Sequence, residues 1–514
     1  MSDEYLQRIL QAKVYDVAIE SPLDRAPRLS KRLGVEVYLK REDLQAVFSF
    51  KLRGAYNKIA NLSAAAAARG VITASAGNHG QGVALAARRR QVRAVIVMPI
   101  TTPAIKVQAV ADLGGEVVLH GDLFDAAFEY ATRLAAEQSL TLVHPFDDPE
   151  VIAGQGTIGM EIARQTGGEL DAIFVPVGGG GLIAGVAAYI KQLHPHVRII
   201  GVEPEDCAAM HDSLCAGQRV TLDKVGLFAD GVAVRRVGEE TFALARRYVD
   251  EVILVNTDEI CAAIQDVFED TRAILEPSGA LAIAGIKRYV ARGTAVAPQR
   301  YAAICSGANM NFDRLRHISE RADLGAGREA LLAIEMPEQP GSFLKFCSTL
   351  GQHSVTEFNY RYQGAERARL FVGFALGAGQ GAGQGVDKDD CAAVVARLSA
   401  AGYGVIDMSA NEMAKLHVRF MVGGVGHGLK DELLFRFEFP ERPGALLRFL
   451  QAVGVAWNIS LFHYRNHGSD YGRVLAGIQV PHADREIFLG HLHDLGYPYI
   501  DETANPAYRT FLAE

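Results

Sequence analysis

The chain has 514 residues, 49% of them hydrophobic and 22% charged, which is ordinary globular material for two to four domains. A net charge of −8 argues against a broad nucleic-acid-binding surface. No run of about 18 uninterrupted apolar residues predicts a membrane span. The polar opening MSDEYLQRILQAKVYDVA reads as no signal peptide. Six cysteines (207, 215, 261, 305, 347, 391) lack the short paired spacings of a zinc site or disulfide framework, so a cytoplasmic location is expected.

Residues 1 to about 40 read as a helix followed by an extended segment, with a loop at Ser21-Pro22-Leu23 and a strand over 36–40. Next comes Ser49-Phe50-Lys51-Leu52-Arg53-Gly54-Ala55, a lysine between an aromatic and an apolar residue, just ahead of a helical run. Apolar surroundings lower an amine's pKa by disfavouring its charged form, and a neutral lysine forms Schiff bases with carbonyls. The alternative for Lys51 is a solvated surface charge. From there to about 315, short apolar strands at 70–74, 94–98, 116–119, 171–175 and 198–202 alternate with helical runs such as 81–90 and 182–193. That alternation predicts a mostly parallel α/β sheet with helices on both faces. Ligands on such sheets bind beyond the carboxyl ends of strands. Arg88-Arg89-Arg90 falls where the first of those helices ends, and cations there suit the helix dipole.

Three loops follow strands. Ser75-Ala76-Gly77-Asn78-His79 opens a helix, where free N–H groups suit an anion and Asn78 can donate or accept. A plain turn with Ser75 as a helix cap, and a structural His79, are the alternatives there. Gly178-Gly179-Gly180-Gly181-Leu182 precedes another helix and makes a backbone cradle for a phosphate. It lacks the Gly-Lys-Ser/Thr ending of a P-loop, and it also fits a dinucleotide fingerprint, with Glu203 near the place of a ribose-binding acid. Cys305-Ser306-Gly307-Ala308-Asn309 offers one neutral hydroxyl; Cys305 has no histidine constellation to make it a nucleophile. Glu276-Pro277-Ser278-Gly279-Ala280 reads as one more turn into a helix, with capping as its role.

Taken together and in this order, the Lys51 segment, the Ser-Ala-Gly-Asn-His loop, the tetraglycine loop and Cys-Ser-Gly-Ala-Asn resemble the fold-type II (tryptophan synthase β-like) pyridoxal-phosphate enzymes. Within them the chain closely resembles the biosynthetic threonine deaminase family along nearly its whole length. The dinucleotide reading leaves Lys51, Asn78 and Ser306 unexplained. The resemblance implies a two-lobed catalytic domain over 1–325 and pyridoxal 5'-phosphate as cofactor. It implies that Lys51 carries the cofactor as a Schiff base and then takes the α proton, with Phe50 beside the cofactor. Asn78 bonds the 3′ oxygen, Gly178, Gly179, Gly180, Gly181 and Leu182 wrap the phosphate, and Ser306 faces the pyridine nitrogen. Ser75, Ala76, Gly77, Asn78 and His79 hold the substrate carboxylate. The implied reaction deaminates L-threonine, and L-serine less well, to a 2-oxo acid and ammonia, at the start of isoleucine biosynthesis. Serine racemases of this fold carry a second serine where this chain has Ala76, so racemisation is expected to be poor. Asp230 resembles part of their cation site, but the upstream glutamate is missing from Val225-Gly226-Leu227, so no divalent metal is expected.

The pattern changes after about 325 and contains a repeat. Pro337-Glu338-Gln339-Pro340-Gly341 matches Pro440-Glu441-Arg442-Pro443-Gly444, and Phe358-Asn359-Tyr360-Arg361 matches Phe462-His463-Tyr464-Arg465. Each copy reads strand, Pro-Gly turn, helix, strand, strand, helix, strand, which predicts two α+β, ferredoxin-like modules over 326–405 and 406–514. They resemble the ACT-like domains that bind amino acids. By that resemblance isoleucine inhibits and valine opposes it, with Tyr360, Arg361, Tyr464 and Arg465 as candidate effector contacts, and the chain forms a homotetramer. Core packing or an oligomer interface is the other role open to these residues. The glycine-rich stretch 377–385 reads as a flexible surface loop. Competing functions are another fold-type II lyase or synthase acting on serine, a sensor without catalysis, and a nicotinamide-dependent oxidoreductase. The duplicated module disfavours the first and Lys51 the second.

Overall fold

The computed structural model describes residues 2–293, 299–337, 346, 349–350, 355–360, 367–376, 389–420, 431–440, 457–465 and 471–512. They form two compact units, Met1–Asn311 and Phe312–Glu514.

The first unit holds two sheets. The larger has six strands in the spatial order Leu23–Arg25, Glu36–Arg41, Arg300–Cys305, Ala172–Pro176, Arg198–Pro204 and Glu251–Val255. All neighbours run parallel except the first pair. The smaller is parallel throughout, in the order Glu116–Leu119, Ala94–Met98, Val71–Ala74 and Thr141–Leu142. Ala94–Met98 and Ala172–Pro176 are unbroken apolar runs, buried at every position. Helices cover both faces of a parallel sheet, so neither face of a strand needs polar residues.

The extended segment expected before residue 40 contains an additional helix, Pro27–Leu33. Its ends carry the usual signals, proline inside the start and Gly34 in the left-handed region (φ 71°) after the end. The helix Lys51–Ala60 packs on Pro149–Thr166 at very close range. A Cβ at Gly154 would lie 2.7 Å from the Gly54 Cα, so only glycine permits this approach.

The second unit contains two four-stranded antiparallel sheets of identical order. One is Val355–Tyr360, Arg367–Ala375, Glu329–Pro337, Gly404–Asp407; the other is Asn458–Arg465, Tyr471–Gln479, Glu432–Pro440, Tyr499–Asp501. The match extends to register, with Phe358 opposite Val372 and Phe462 opposite Ala476. Both edge strands are irregular at the same place, between Val355 and Glu357 and between Ile459 and Leu461. Side chains alternate across a strand, so each sheet feeds two cores. Leu332, Ile334 and Met336 pack with Val394 and Leu398 of a helix on one face. Leu331 and Ala333 point the other way and share a core with Leu434 and Leu475 of the second sheet. The helix Arg314–Gly325 is tied into this unit by a bidentate pair, Arg321 to Glu412, at 3.0 and 2.6 Å. Among the described residues no helix is long and apolar enough to cross a membrane.

Candidate active site

The loops at the carboxyl ends of both sheets in Met1–Asn311 converge on one cleft. Lys51 is the first residue of its helix, and its Nζ donates to the Pro145 carbonyl at 3.2 Å. The Phe50 ring centroid lies 5.4 Å from that nitrogen. Burial of the amine lowers its pKa to about 8, and the Glu276 carboxylate opposes this only in part. The side chain keeps some exposure toward the cleft while its amine end is enclosed by protein. That is the condition a neutral, nucleophilic lysine requires.

The chain entering this helix is laced to the Ser306 loop. Ser49 bridges to Gly307, the Phe50 N–H donates to the Ser306 carbonyl (3.2 Å), and the Ala308 N–H donates to the Phe48 carbonyl (2.9 Å). Phe48 adopts a left-handed backbone (φ 53°), a sparsely populated region for a bulky residue that clusters at functional sites. No sequence signal marked it. The buried Ser306 hydroxyl donates to the Ser278 carbonyl at 3.3 Å.

The tetraglycine loop admits no side chains. A Cβ at Gly179 would fall 2.2 Å from the Phe146 ring, at Gly178 2.9 Å from Val232 Cα, and at Gly180 2.7 Å from Met210. Gly180 also has φ 96°. The helix Gly181–Leu193 follows with no side-chain cap, and Leu182 is buried in its first turn. Its first N–H groups are therefore available to an anion. The Gly179 carbonyl faces away, accepting from the Thr241 hydroxyl at 2.6 Å.

Asn78 begins the third converging helix, Asn78–Arg90, whose last turn holds Arg88, Arg89 and Arg90 as expected. The position before it is Gly77, and no side chain caps it; the Ser75 hydroxyl instead accepts from the Gly77 N–H at 3.2 Å. Ser75, Ala76, Gly77 and Asn78 are partly exposed around this helix start. His79 is 2% exposed, with Nε2 against the Val143 carbonyl at 3.0 Å. Burial, then the Lys51 charge, push its pKa down to about 3, so its imidazole is neutral.

Pyridoxal phosphate fits these donors. A backbone cradle closed to any Cβ faces an activated lysine, an amide and a neutral hydroxyl. Two buried polar atoms beside them, Ser278 Oγ and His79 Nδ1, have no hydrogen-bond partner among the described residues.

Other candidates resolve differently. Glu203 accepts from the Met210 and His211 N–H groups at 2.9 and 2.8 Å, so it serves a helix start and not a ribose. Burial raises its pKa to about 8. Cys305 is wholly buried and its thiol is pushed well above the usual range, which leaves it unreactive. Asp230 accepts from Lys106 Nζ at 2.9 Å. Glu276 occupies the cap position of Pro277–Ala291, but its side chain does not cap that helix; it accepts from Asn78 Nδ2 at 2.7 Å. Its place in the cleft was not legible from the Glu-Pro-Ser-Gly turn. Tyr360, Tyr464 and Arg465 lie on edge strands whose side chains are outside the described residues, as are Arg361, the stretch 377–385 and most of both Pro-Gly turns.

Comparison with known proteins agrees with this architecture. Residues 14–307 match the family model for pyridoxal-phosphate dependent enzymes. Residues 320–418 and 423–512 match the C-terminal regulatory domain of threonine dehydratase. The chain is 56% identical over 515 residues to the biosynthetic L-threonine dehydratase of Burkholderia multivorans, covering 100% of both. It is 54% identical over 510 residues to that of Escherichia coli, covering 99% of this chain and 97% of the other. Among solved structures, the processed threonine deaminase isoform 2 of Solanum lycopersicum matches with a TM-score of 0.61 and 55% identity, over 62% of this chain and 93% of that one. Serine racemase from Dictyostelium discoideum matches with a TM-score of 0.56 and 34% identity, over 60% and 99%. Because the likeness runs through both the cleft-bearing unit and the duplicated modules, the chain belongs to the biosynthetic L-threonine dehydratase family.

Proposed function

We propose that the protein is a pyridoxal-phosphate-dependent threonine ammonia-lyase, converting L-threonine, and L-serine less readily, to a 2-oxo acid and ammonia. The cofactor supplies an aldehyde for the amine and an electron sink for the α carbon. The Lys51 amine would hold it and would serve as the base on the substrate's α proton. The N–H groups of Gly178, Gly179, Gly180, Gly181 and Leu182 bind the phosphate. Asn78 would donate an amide N–H to the ring's 3′ oxygen, Ser306 would offer a neutral hydroxyl to the ring nitrogen, and Phe50 would pack beside the ring. Ser75, Ala76, Gly77, Asn78 and His79 receive the substrate carboxylate at an uncapped helix start. Ala76 holds no proton, so nothing there re-protonates the opposite face.

The observation that carries this reading is the buried amine of Lys51, its pKa lowered to about 8, bonded to Pro145 next to the Phe146 on which the glycine cradle packs. Residues 1–325 form the catalytic domain in this reading. The modules 326–405 and 406–514 bind isoleucine as inhibitor and valine as its opponent, with Tyr360, Arg361, Tyr464 and Arg465 as contacts, in a cytoplasmic homotetramer. Purified protein reconstituted with pyridoxal phosphate is expected to yield a borohydride-fixed adduct on Lys51 and 2-oxobutanoate from threonine, suppressed by isoleucine. Absence of the adduct refutes the lyase; an adduct without 2-oxobutanoate favours a lyase or synthase acting on serine.

A further inference from the structure

Asn78 is held by more than its helix. Asn309 Nδ2 donates to the Val47 carbonyl at 2.7 Å and to Asn78 Oδ1 at 2.6 Å. Both acceptors are oxygens, so the orientation of the Asn309 amide is fixed, and the oxygen of Asn78 must face it. On the other side Asn78 Nδ2 donates to Glu276 Oε1 at 2.7 Å. An ionised carboxylate only accepts, so it too requires the NH2 end of Asn78. The two neighbours therefore assign the amide the same way, and one N–H of Asn78 is left over.

Glu276 is built to reach this place. It is 4% exposed, and its N–H donates to the Gly307 carbonyl at 3.2 Å, which fastens it to the Ser306 loop. A Cβ at Gly307 would sit 2.7 Å from Glu276 Oε1, so the carboxylate occupies space that only a glycine leaves. Asn78 belongs to a helix beside the four-stranded sheet, whereas Glu276 precedes the helix Pro277–Ala291 and Asn309 follows Arg300–Cys305 of the six-stranded sheet. The bonded chain Asn309–Asn78–Glu276 thus joins the two lobes at the point where the cofactor ring would lie.

We infer that Glu276 is a positioning residue for the cofactor, acting through Asn78, whose remaining N–H it holds for the ring oxygen. The inference rests on the functional reading above. Without the carboxylate only the Asn309 bond holds the Asn78 amide, and an amide that turns presents a carbonyl oxygen that the ring oxygen repels.

The test is titration of apoprotein with pyridoxal phosphate, followed by the absorbance of the lysine-bound cofactor. Glu276→Met keeps the side-chain length and removes the acceptor; it is expected to weaken binding about tenfold. Glu276→Gln retains an oxygen that accepts the same N–H and is expected to stay within about threefold. In an Asn78→Ala background, Glu276→Met is expected to add less than about twofold, because the group it orients is gone. Wild-type affinity in Glu276→Met, or an undiminished loss in the Asn78→Ala background, overturns the proposal. Should Glu276→Met not fold, Glu276→Ala carries the same comparison. A wild-type protein that forms no lysine-bound cofactor defeats the functional reading itself. A wild-type protein that forms it while the Glu276 variants bind equally well defeats only the positioning role.

Discussion

Beneath the Lys51 helix, Lys40, Glu42, Arg53 and Glu161 are wholly buried, each at 0% exposure. Arg53 meets Glu42 through Nε and Nη2, both at 2.8 Å, and Glu161 through Nη1 and Nη2 at 2.6 and 3.0 Å. Lys40 closes the set on Glu161 at 2.7 Å. The two cations and two anions balance, and the bidentate geometry satisfies nearly every donor. The unit Phe312–Glu514 treats its polar groups differently and does so twice. The Leu331 N–H donates to the Ser409 hydroxyl and the Leu434 N–H to the Thr503 hydroxyl, both at 3.0 Å. Asn411 and Asn505 each cap a short helix, and Asn411 Nδ2 donates to Asn505 Oδ1 at 3.2 Å. One unit places a wholly buried charge network around a single residue two positions from Lys51; the other adds duplicated hydrogen bonds to less completely buried ion pairs such as Arg419–Glu329. A lone activated amine needs a backbone that does not shift. A pair of matched modules needs only to keep its halves alike.

Several substitutions probe that contrast. Lys51→Ala is expected to retain the fold and cut threonine turnover by about a thousandfold or more, read as 2-oxobutanoate. A near-normal rate would remove Lys51 from the chemistry. Arg53→Met leaves Glu42 and Glu161 buried against an apolar group and is expected to cost about 3–5 kcal/mol in denaturant unfolding. A cost below about 1 kcal/mol would mean the network carries no weight.

The Lys51 amine also predicts a pH dependence. Burial lowers its folded pKa to about 8 in the apoprotein, from the ordinary lysine value of 10.5. Between these values the unfolded chain binds the extra proton, so its ionisation makes apoprotein stability rise with pH there, by up to about 1.4 kcal/mol per unit. Comparing wild type with Lys51→Ala over that interval isolates the slope; parallel curves would refute the depressed pKa. Removing residues 326–514 is expected to abolish isoleucine inhibition. Inhibition that survives in an active truncated protein would dissociate the modules from regulation. The smallest effect is expected from Asn411→Ala or Asn505→Ala, about 1 kcal/mol each for a lost cap. Equal costs at the two sites would support the duplicated design, and a cost at one alone would break it.

Much of this was legible in one dimension. Parallel strands read as unbroken apolar runs because both faces are covered, so 94–98 and 171–175 stood out, the second strand running one residue later, over Ala172–Pro176. The repeat is visible in its Pro-Gly and aromatic segments, whereas Asp407-Met408-Ser409-Ala410-Asn411 and Asp501-Glu502-Thr503-Ala504-Asn505 form a further match that only the structure brings out. Their likeness lies in side chains that bond backbone, Asp407 accepting from the Ser409 N–H and Asp501 from the Thr503 N–H, and such short polar segments resemble any turn.

The sequence by itself determined the α/β class, the order of strands and helices, the glycine cradle and the lysine, because periodicity and backbone permissiveness are local properties. Only the tertiary structure decided what surrounds them. Burial alone moves the Lys51 amine toward neutrality and makes His79 a neutral ring. Folding alone turns Glu203 toward a helix start, and carries Glu276 away from the helix it precedes to the amide of Asn78. Desolvation and long-range hydrogen bonds depend on which segments meet, and residues 198 positions apart in sequence, as Asn78 and Glu276 are, share no local pattern from which that meeting can be read.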